Sequence, residues 1–296
     1  MSARSPRVGR VAPLALALVV AACEATPSVA PSPTPPPEPT ATVTTYRLGT
    51  TVWYAGFVMV FGDATATLDR RGGTLSVSVQ LQNPTQDGLT LDSPVRLTLG
   101  DTYLDTTRET VLPSVPAGGS GFTTLHYEVI GRSSVDDGVL TVGDPGLHQA
   151  VIPLTPGSVA PVTFKPVDLN IGGSAAAGDL RVVLRHGVLR WDLPDWGDEL
   201  PATSASLTLT YDAAYGGSFS GGIPFTGDNI SLILPNGKVV HPRADGRSQS
   251  LVVIGAGKVI RNLFTRFEIP ANLPGTYTLV VGLSGAQGKI PFKAPG

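Results

Sequence analysis

An all-β fold is predicted, arranged as two tandem antiparallel β-sandwiches behind a short export signal and a proline-rich tether. Three observations predict it. The composition is rich in punctuation, with 35 Gly and 27 Pro, and poor in charge at 15%. Helices favour Lys, Glu and Ala over such a mixture, whereas short strands between turns accommodate it. Apolar and polar residues alternate in short runs separated by turn signals about every 8–12 residues, and no stretch sustains a helical period. Finally, the order of these runs in the first half of the chain recurs in the second.

The chain has 296 residues, a prior for about two domains. The expected divisions are a signal at residues 1–22, an anchor and linker at 23–45, a first sandwich at 46–155, a second linker at 156–166 and a second sandwich at 167–296. The net charge is −2 and there is no basic stripe, so nucleic acid is not an expected partner.

The start of the chain carries its most specific motif. Arg4, Arg7 and Arg10 precede an apolar run from Val11 to Ala22, which is too short for a lasting membrane span of about 20 residues. The run closes as Val20-Ala21-Ala22-Cys23, and Cys23 is the only cysteine. Aliphatic, small, small, cysteine is the pattern of a bacterial lipoprotein signal, so cleavage before Cys23 and lipidation of its thiol are expected. Two acyl chains exceed the marginal anchoring of one, which makes membrane lipid the expected partner through Cys23. The folded part is then held outside the cytoplasm on a bacterial membrane. A lipidated Cys23 leaves no thiol for a disulfide, a thiolate metal site or a cysteine nucleophile.

From Glu24 to Thr45 the chain is dominated by Pro, Thr, Ser and Ala and has no apolar periodicity. Such a segment cannot build a core, and its prolines favour an extended spacer rising about 3.1 Å per residue.

In the first half, Thr51 to Asp69 reads as a long β-rich stretch in which Phe57, Met59 and Phe61 alternate and Gly56 marks a bend. Asp69-Arg70-Arg71-Gly72-Gly73 reads as a hairpin turn. Thr74 to Gln82 then sets Leu75, Val77, Val79 and Leu81 on one face against serines and glutamines on the other. Asn83-Pro84-Thr85 ends that strand. Val95–Leu99, Phe122–Ile130, Gly138–Val142 and Gln149–Leu154 complete the half.

In the second half, Asp179–Trp191 takes the place of the long first stretch, and Ser204–Tyr211 takes that of Thr74–Gln82. Asn229–Gly237 corresponds to Ser93–Asp101, Asn262–Pro270 to Phe122–Ile130, and Pro274–Val281 to Asp136–Val142. Insertions are expected around Pro194–Pro201 and Ala213–Gly222. The reading is a diverged duplication of one sandwich. Seven or so short strands per half point to the immunoglobulin-like form, with barrels as the competing architecture.

A more specific resemblance lies in the first half. Trp53-Tyr54-Ala55-Gly56-Phe57 leads to Phe61-Gly62-Asp63-Ala64-Thr65. Then come Asn83-Pro84-Thr85 and Pro113-Ser114-Val115-Pro116-Ala117-Gly118. Over residues 46–155 this resembles the telokin-like, immunoglobulin-fold domains of bacterial surface lipoproteins, a group known mainly as a domain of unknown function. The second half departs from it, with Leu180, Val182 and Leu184 in place of the aromatic start. The resemblance implies an exposed, non-catalytic module and brings no catalytic residue with it.

Candidate chemistry is sparse. The four histidines, His126, His148, His186 and His241, show no metal-ligand spacing and read as surface or turn residues. Gly216–Gly222 is a glycine- and serine-rich loop without the strand–turn–helix context of a nucleophile elbow. Gly255-Ala256-Gly257-Lys258 lacks the rest of a phosphate loop and reads as a hairpin turn. Trp53, Tyr54, Phe57 and Phe61 read as packing aromatics.

The unusual stretch is Trp191–Glu199, which holds Trp191, Trp196 and the carboxylates Asp192, Asp195, Asp198 and Glu199. It could serve calcium, although the spacing is not that of a calcium loop. Trp196 could offer a sugar a stacking platform, and the carboxylates could act as an acid–base pair if held across a substrate. The plainer alternative is a loop that folds its tryptophan onto the sandwich edge. No cofactor and no metal are expected. The expected function is a membrane-anchored, non-catalytic binding or structural role at the cell envelope, toward an envelope protein or polysaccharide. Carbohydrate binding through residues 191–199 is the alternative, and a glycan- or peptide-processing hydrolase a more distant one.

Overall fold

The computed structural model describes residues 40–244, 248 and 251–295, all within one compact unit spanning 39–296. The signal, Cys23 and the tether up to residue 39 lie outside the described residues. Among the described residues, every pairing of named strands is antiparallel, as predicted for an all-β chain.

The first ten strands are β1 (Thr42–Tyr54), β2 (Phe57–Asp69), β3 (Gly72–Gln82), β4 (Leu89–Thr90), β5 (Val95–Leu99), β6 (Thr102–Leu104), β7 (Ser114–Val115), β8 (Ser120–Ile130), β9 (Val139–Val142) and β10 (Ala150–Pro153). One sheet runs β1-β2-β3-β8, a second runs β10-β9-β5-β6, and β4 pairs β7. The inner faces of the two larger sheets meet. Leu75, Val77 and Tyr127 from the first sheet and Leu97, Leu140 and Ile152 from the second belong to one buried cluster. The Tyr127 hydroxyl crosses the core to donate to the Val95 carbonyl at 3.0 Å. Each large apolar side chain so buried contributes about 1.5–3 kcal/mol.

Thirteen further strands follow. They are β11 (Val167–Leu169), β12 (Gly173–Ala177), β13 (Leu180–Arg190), β14 (Asp192–Leu193), β15 (Asp198–Glu199), β16 (Ser204–Tyr215), β17 (Ile223–Phe225), β18 (Ile230–Ile233), β19 (Val239–Val240), β20 (Val252–Ile254), β21 (Val259–Pro270), β22 (Gly275–Leu283) and β23 (Ala286–Ala294). Here β11 and β12 both pair with β13, continuing through β16 to β21. A second sheet runs β19-β18-β22-β23, and β17 pairs β20. The order is that of the first ten strands, with β11 and β12 together in the place of β1 and the short β14–β15 hairpin inserted after β13. A second buried cluster, including Leu207, Tyr211, Phe267, Leu232, Tyr277 and Phe292, lies between these sheets. Tyr277 and Phe292 stack at 5.8 Å.

Several elements differ from the sequence expectations. The long β stretch of the first half is two strands. Ala55 and Gly56 both take positive φ, 46° and 84°, and form a two-residue turn that reverses the chain between β1 and β2. Asn-Gly is the usual signature of such a turn, and alanine conceals it. Strand β1 begins at Thr42, inside the segment expected to be linker to residue 45. Its first residues are exposed on both faces, so they lack the alternation that marks a strand. The insertion expected at Ala213 starts later, because Ala213 and Tyr215 continue the buried face of β16. Gly255–Lys258 is a turn, closed by the Lys258 amide on the Gly255 carbonyl at 3.0 Å. It does not join a hairpin, since β20 pairs β17 while β21 pairs β16.

Two polar devices fix the irregular places. At the end of β3, buried Asn83 donates from Nδ2 to the carbonyls of Asp87, Val115 and Pro116 at 2.7–3.2 Å. Its Oδ1 accepts from the Thr85 amide and hydroxyl. One side chain thereby satisfies the backbone on both sides of the β4–β7 crossing. Asn83→Ala is expected to cost about 1–3 kcal/mol, read as a lower midpoint in urea, because it strands buried carbonyls. In the second half, Arg261 and Asn262 oppose the single residue Asp212 across a bulge. The Asp212 carboxylate accepts from the Asn262 amide at 3.1 Å and from Arg185 at 2.7 and 3.0 Å. Arg185, then the Asn262 amide, hold its pKa below the usual carboxylate value.

Candidate functional site

The stretch singled out in the sequence, Trp191–Glu199, forms a small excursion between β13 and β16. Chain reversal begins with β14, passes through a 3-10 turn at Pro194–Trp196 and returns as β15, which pairs with β14. Gly197 closes the turn at φ 66°, its amide donating to the Pro194 carbonyl at 3.2 Å. The excursion seats on the Ala55–Gly56 turn at the tip of the β1–β2 hairpin.

The four carboxylates separate. Asp192 is buried and pairs with Arg190 at 2.6 Å, while its second oxygen accepts from the Gly56 amide at 2.8 Å. Glu199 accepts from the Ala55 amide at 3.0 Å. Two carboxyl groups of the second half thus cap the two amides of a turn in the first. The turn demands this closeness: a Cβ on Gly56 would lie 2.8 Å from the Pro194 carbonyl and 2.9 Å from Leu89. Asp195 turns the other way and pairs with Arg266 at 2.5 Å. Asp198 is exposed and, among the described residues, makes no ion pair.

Burial pushes the Glu199 carboxyl up to about 9, against the lowering effect of the Ala55 amide. Asp192 adds to the rise and Arg190 offsets part of it. The group is therefore protonated at neutral pH. Its Oε2 and the Tyr54 hydroxyl are both buried without a hydrogen-bond partner among the described residues. Burial, then the charges of Glu199 and others, raise the Tyr54 phenol as well. Gly143 makes room for that phenol, because a Cβ there would collide with it.

Further contacts extend the seam between the two sets of strands. The His148 amide donates to the Leu200 carbonyl at 3.3 Å, and the Ala202 amide to the Gly146 carbonyl at 3.0 Å. The His148 ring Nε2 meets the Ser204 carbonyl at 2.7 Å. Trp191 is half-buried and lies 5.9 Å from the Phe164 ring, which in turn meets His148 edge-on at 5.1 Å. Trp191 is thus a packing residue in the seam.

Beside the seam lies a cleft of about 710 Å³. Its walls include Thr90, Asp92 and Ser93 from the first half and Trp196, Asp198 and Glu199 from the second. Arg243 and Glu268, paired at 2.7 Å, close one side. Trp196 is 47% exposed here. Sequence reasoning located Trp196 and Asp198 but missed the residues opposite. Nothing local marks Asp92, Ser93, Arg243 or Glu268, which come together only through the fold.

The remaining candidates do not assemble. His126 Nδ1 lies 3.1 Å from Ser76 Oγ and 4.0 Å from Glu109 Oε2. Both contacts fall on one nitrogen, so the ring does not relay between hydroxyl and carboxylate. Among the described residues, no group of three or more His, Cys, Asp or Glu is placed to hold a metal ion. Tyr54, Phe57 and Phe61 are fully buried in the first core, and Trp53 lies under the Lys165 ammonium at 5.9 Å.

No protein-family model matches the chain, and a search of curated proteins finds no match.

Proposed function

We propose that this chain is a bacterial envelope lipoprotein with a non-catalytic role: two tandem immunoglobulin-like sandwiches, anchored through acylated Cys23, held off the membrane by a proline-rich tether and presenting a binding cleft. The geometric observation that carries the non-catalytic reading is the dispersal of the carboxylates. Asp192 and Glu199 are taken up in capping the Ala55–Gly56 turn and Asp195 in pairing with Arg266. A glycosidase working through these carboxylates would need two of them facing each other across a substrate. The repeated strand order supports the tandem reading, and the same sandwich architecture agrees with the resemblance to telokin-like surface modules. Anchoring rests on Val20-Ala21-Ala22-Cys23 and on two acyl chains being enough to hold a protein at a bilayer.

Metabolic labelling with a radioactive or alkynyl fatty acid tests it. The chain expressed in a bacterium should take up label and partition with membranes, and Cys23→Ser should abolish both. Membrane partition of an unlabelled Cys23→Ser chain would remove the anchoring mechanism.

A further inference from the structure

We propose that the cleft between Trp196 and the Asp92–Ser93 segment binds an uncharged oligosaccharide, laid against the Trp196 ring and contacted from both halves of the protein. This deepens the binding role proposed above and rests on it.

The lining selects the chemistry. Trp196 offers a half-exposed indole in a concave site, where most surface tryptophans would be packed away. A flat apolar face of that kind takes the C–H face of a sugar ring, another aromatic ring or a cation. The polar groups around it decide among these. Asp92 and Asp198 are exposed carboxylates outside any ion pair among the described residues, so they oppose phosphates, sulfates and uronic acids. Arg243 lies on the same wall, neutralised by Glu268 at 2.7 Å, so a cationic sugar is the competing occupant that the amino-sugar arm below tests. The mixture of donors and acceptors points to a neutral ligand that both donates and accepts. Asp92 and Asp198 accept hydrogen bonds, Arg243 donates them, and the Ser93 hydroxyl does either. A polyhydroxylated ring meets all of these at once, whereas a plain aromatic would leave them unsatisfied.

The cleft is also composite. Asp92 and Ser93 follow β4 in the first half, while Trp196 and Asp198 belong to the excursion that seats on the Ala55–Gly56 turn. The turn-capping contacts of Asp192 and Glu199 hold the two walls in register. A ligand spanning the cleft therefore needs both.

The test uses the full chain purified in a polyoxyethylene detergent, since alkyl glycosides would compete. It is applied to an array of neutral hexose and N-acetylhexosamine oligomers, with uronate oligomers and amino-sugar oligomers as charged arms, and hits are titrated by calorimetry. Saturable binding confined to neutral oligomers is expected. Trp196→Ala should weaken it about tenfold or more and Trp196→Phe much less, as loss of an aromatic platform predicts. Asp198→Ala, at an exposed position, should weaken it about threefold or more, through loss of an acceptor. Unchanged melting of each variant shows that folding is not the cause. Absence of binding to every neutral oligomer, preference for a charged arm, or binding indifferent to Trp196→Ala would overturn the proposal. Fatty-acid labelling of the same preparations separates the two ideas: label without sugar binding removes the ligand and keeps the anchor, and sugar binding without label does the reverse.

Discussion

Glu199→Gln is expected to raise thermal stability above neutral pH and to flatten its dependence on pH. The sign follows from the raised pKa. In the unfolded chain this carboxyl ionises near 4.5, whereas in the folded chain it holds its proton to about 9. Between those values the folded state binds more protons than the unfolded state, so stability falls as pH rises. The stability is fully present below about 4.5 and is lost progressively up to about 9. Each pH unit across that window is worth about 1.4 kcal/mol for one group, so the total reaches several kcal/mol. Glutamine never ionises. Its carbonyl can still accept from the Ala55 amide. Arg190 and Asp192 remain beside it and are unchanged. Melting curves of both proteins at pH steps across the window check this. A Gln variant whose melting temperature tracks the wild type at every pH would show that Glu199 is not the buried acid described.

Asp192→Ala is expected to be the most damaging single substitution in the seam. It removes the partner of Arg190, whose side chain is only 18% exposed, and the acceptor of the Gly56 amide. Breaking a buried pair from one side typically costs about 3–5 kcal/mol, because the remaining charge stays buried. Urea denaturation should show that loss as a shifted midpoint. Asp192→Asn keeps an acceptor for Gly56 and should recover part of it. Equal stability of wild type and Asp192→Ala would mean that the turn and the excursion do not depend on this carboxylate.

The sequence made the β class legible for a simple reason. Where one face of a strand is buried and the other wet, as from Leu75 to Leu81, the side chains alternate and announce it. Where the strand is exposed, as at the start of β1, that signal vanishes. Tight turns were readable where glycines stood, at Gly72-Gly73, and hidden where alanine takes positive φ at Ala55. The Trp191–Glu199 stretch was conspicuous from composition, but composition does not say where a carboxylate points. Asp192 and Glu199 are occupied by backbone amides lying 136 and 144 residues away in sequence. That relation exists only after folding. The pKa of Glu199 is equally non-local, since burial in the seam is its main cause.

Strand β1 has one more consequence. It starts at Thr42, within the last residues of the segment read as a tether, and finishes at the turn gripped beside the cleft. Thirteen residues of extended chain, about 40 Å, lie between those points. A load entering at Thr42 and leaving through a ligand in the cleft would run along β1, parallel to the strand. That load would pass along the covalent backbone of β1, and the contacts that hand it on would be those of Asp192 and Glu199 to the Ala55–Gly56 turn. With the start of the chain anchored and a ligand in the cleft as proposed, β1 would lie on the line between them.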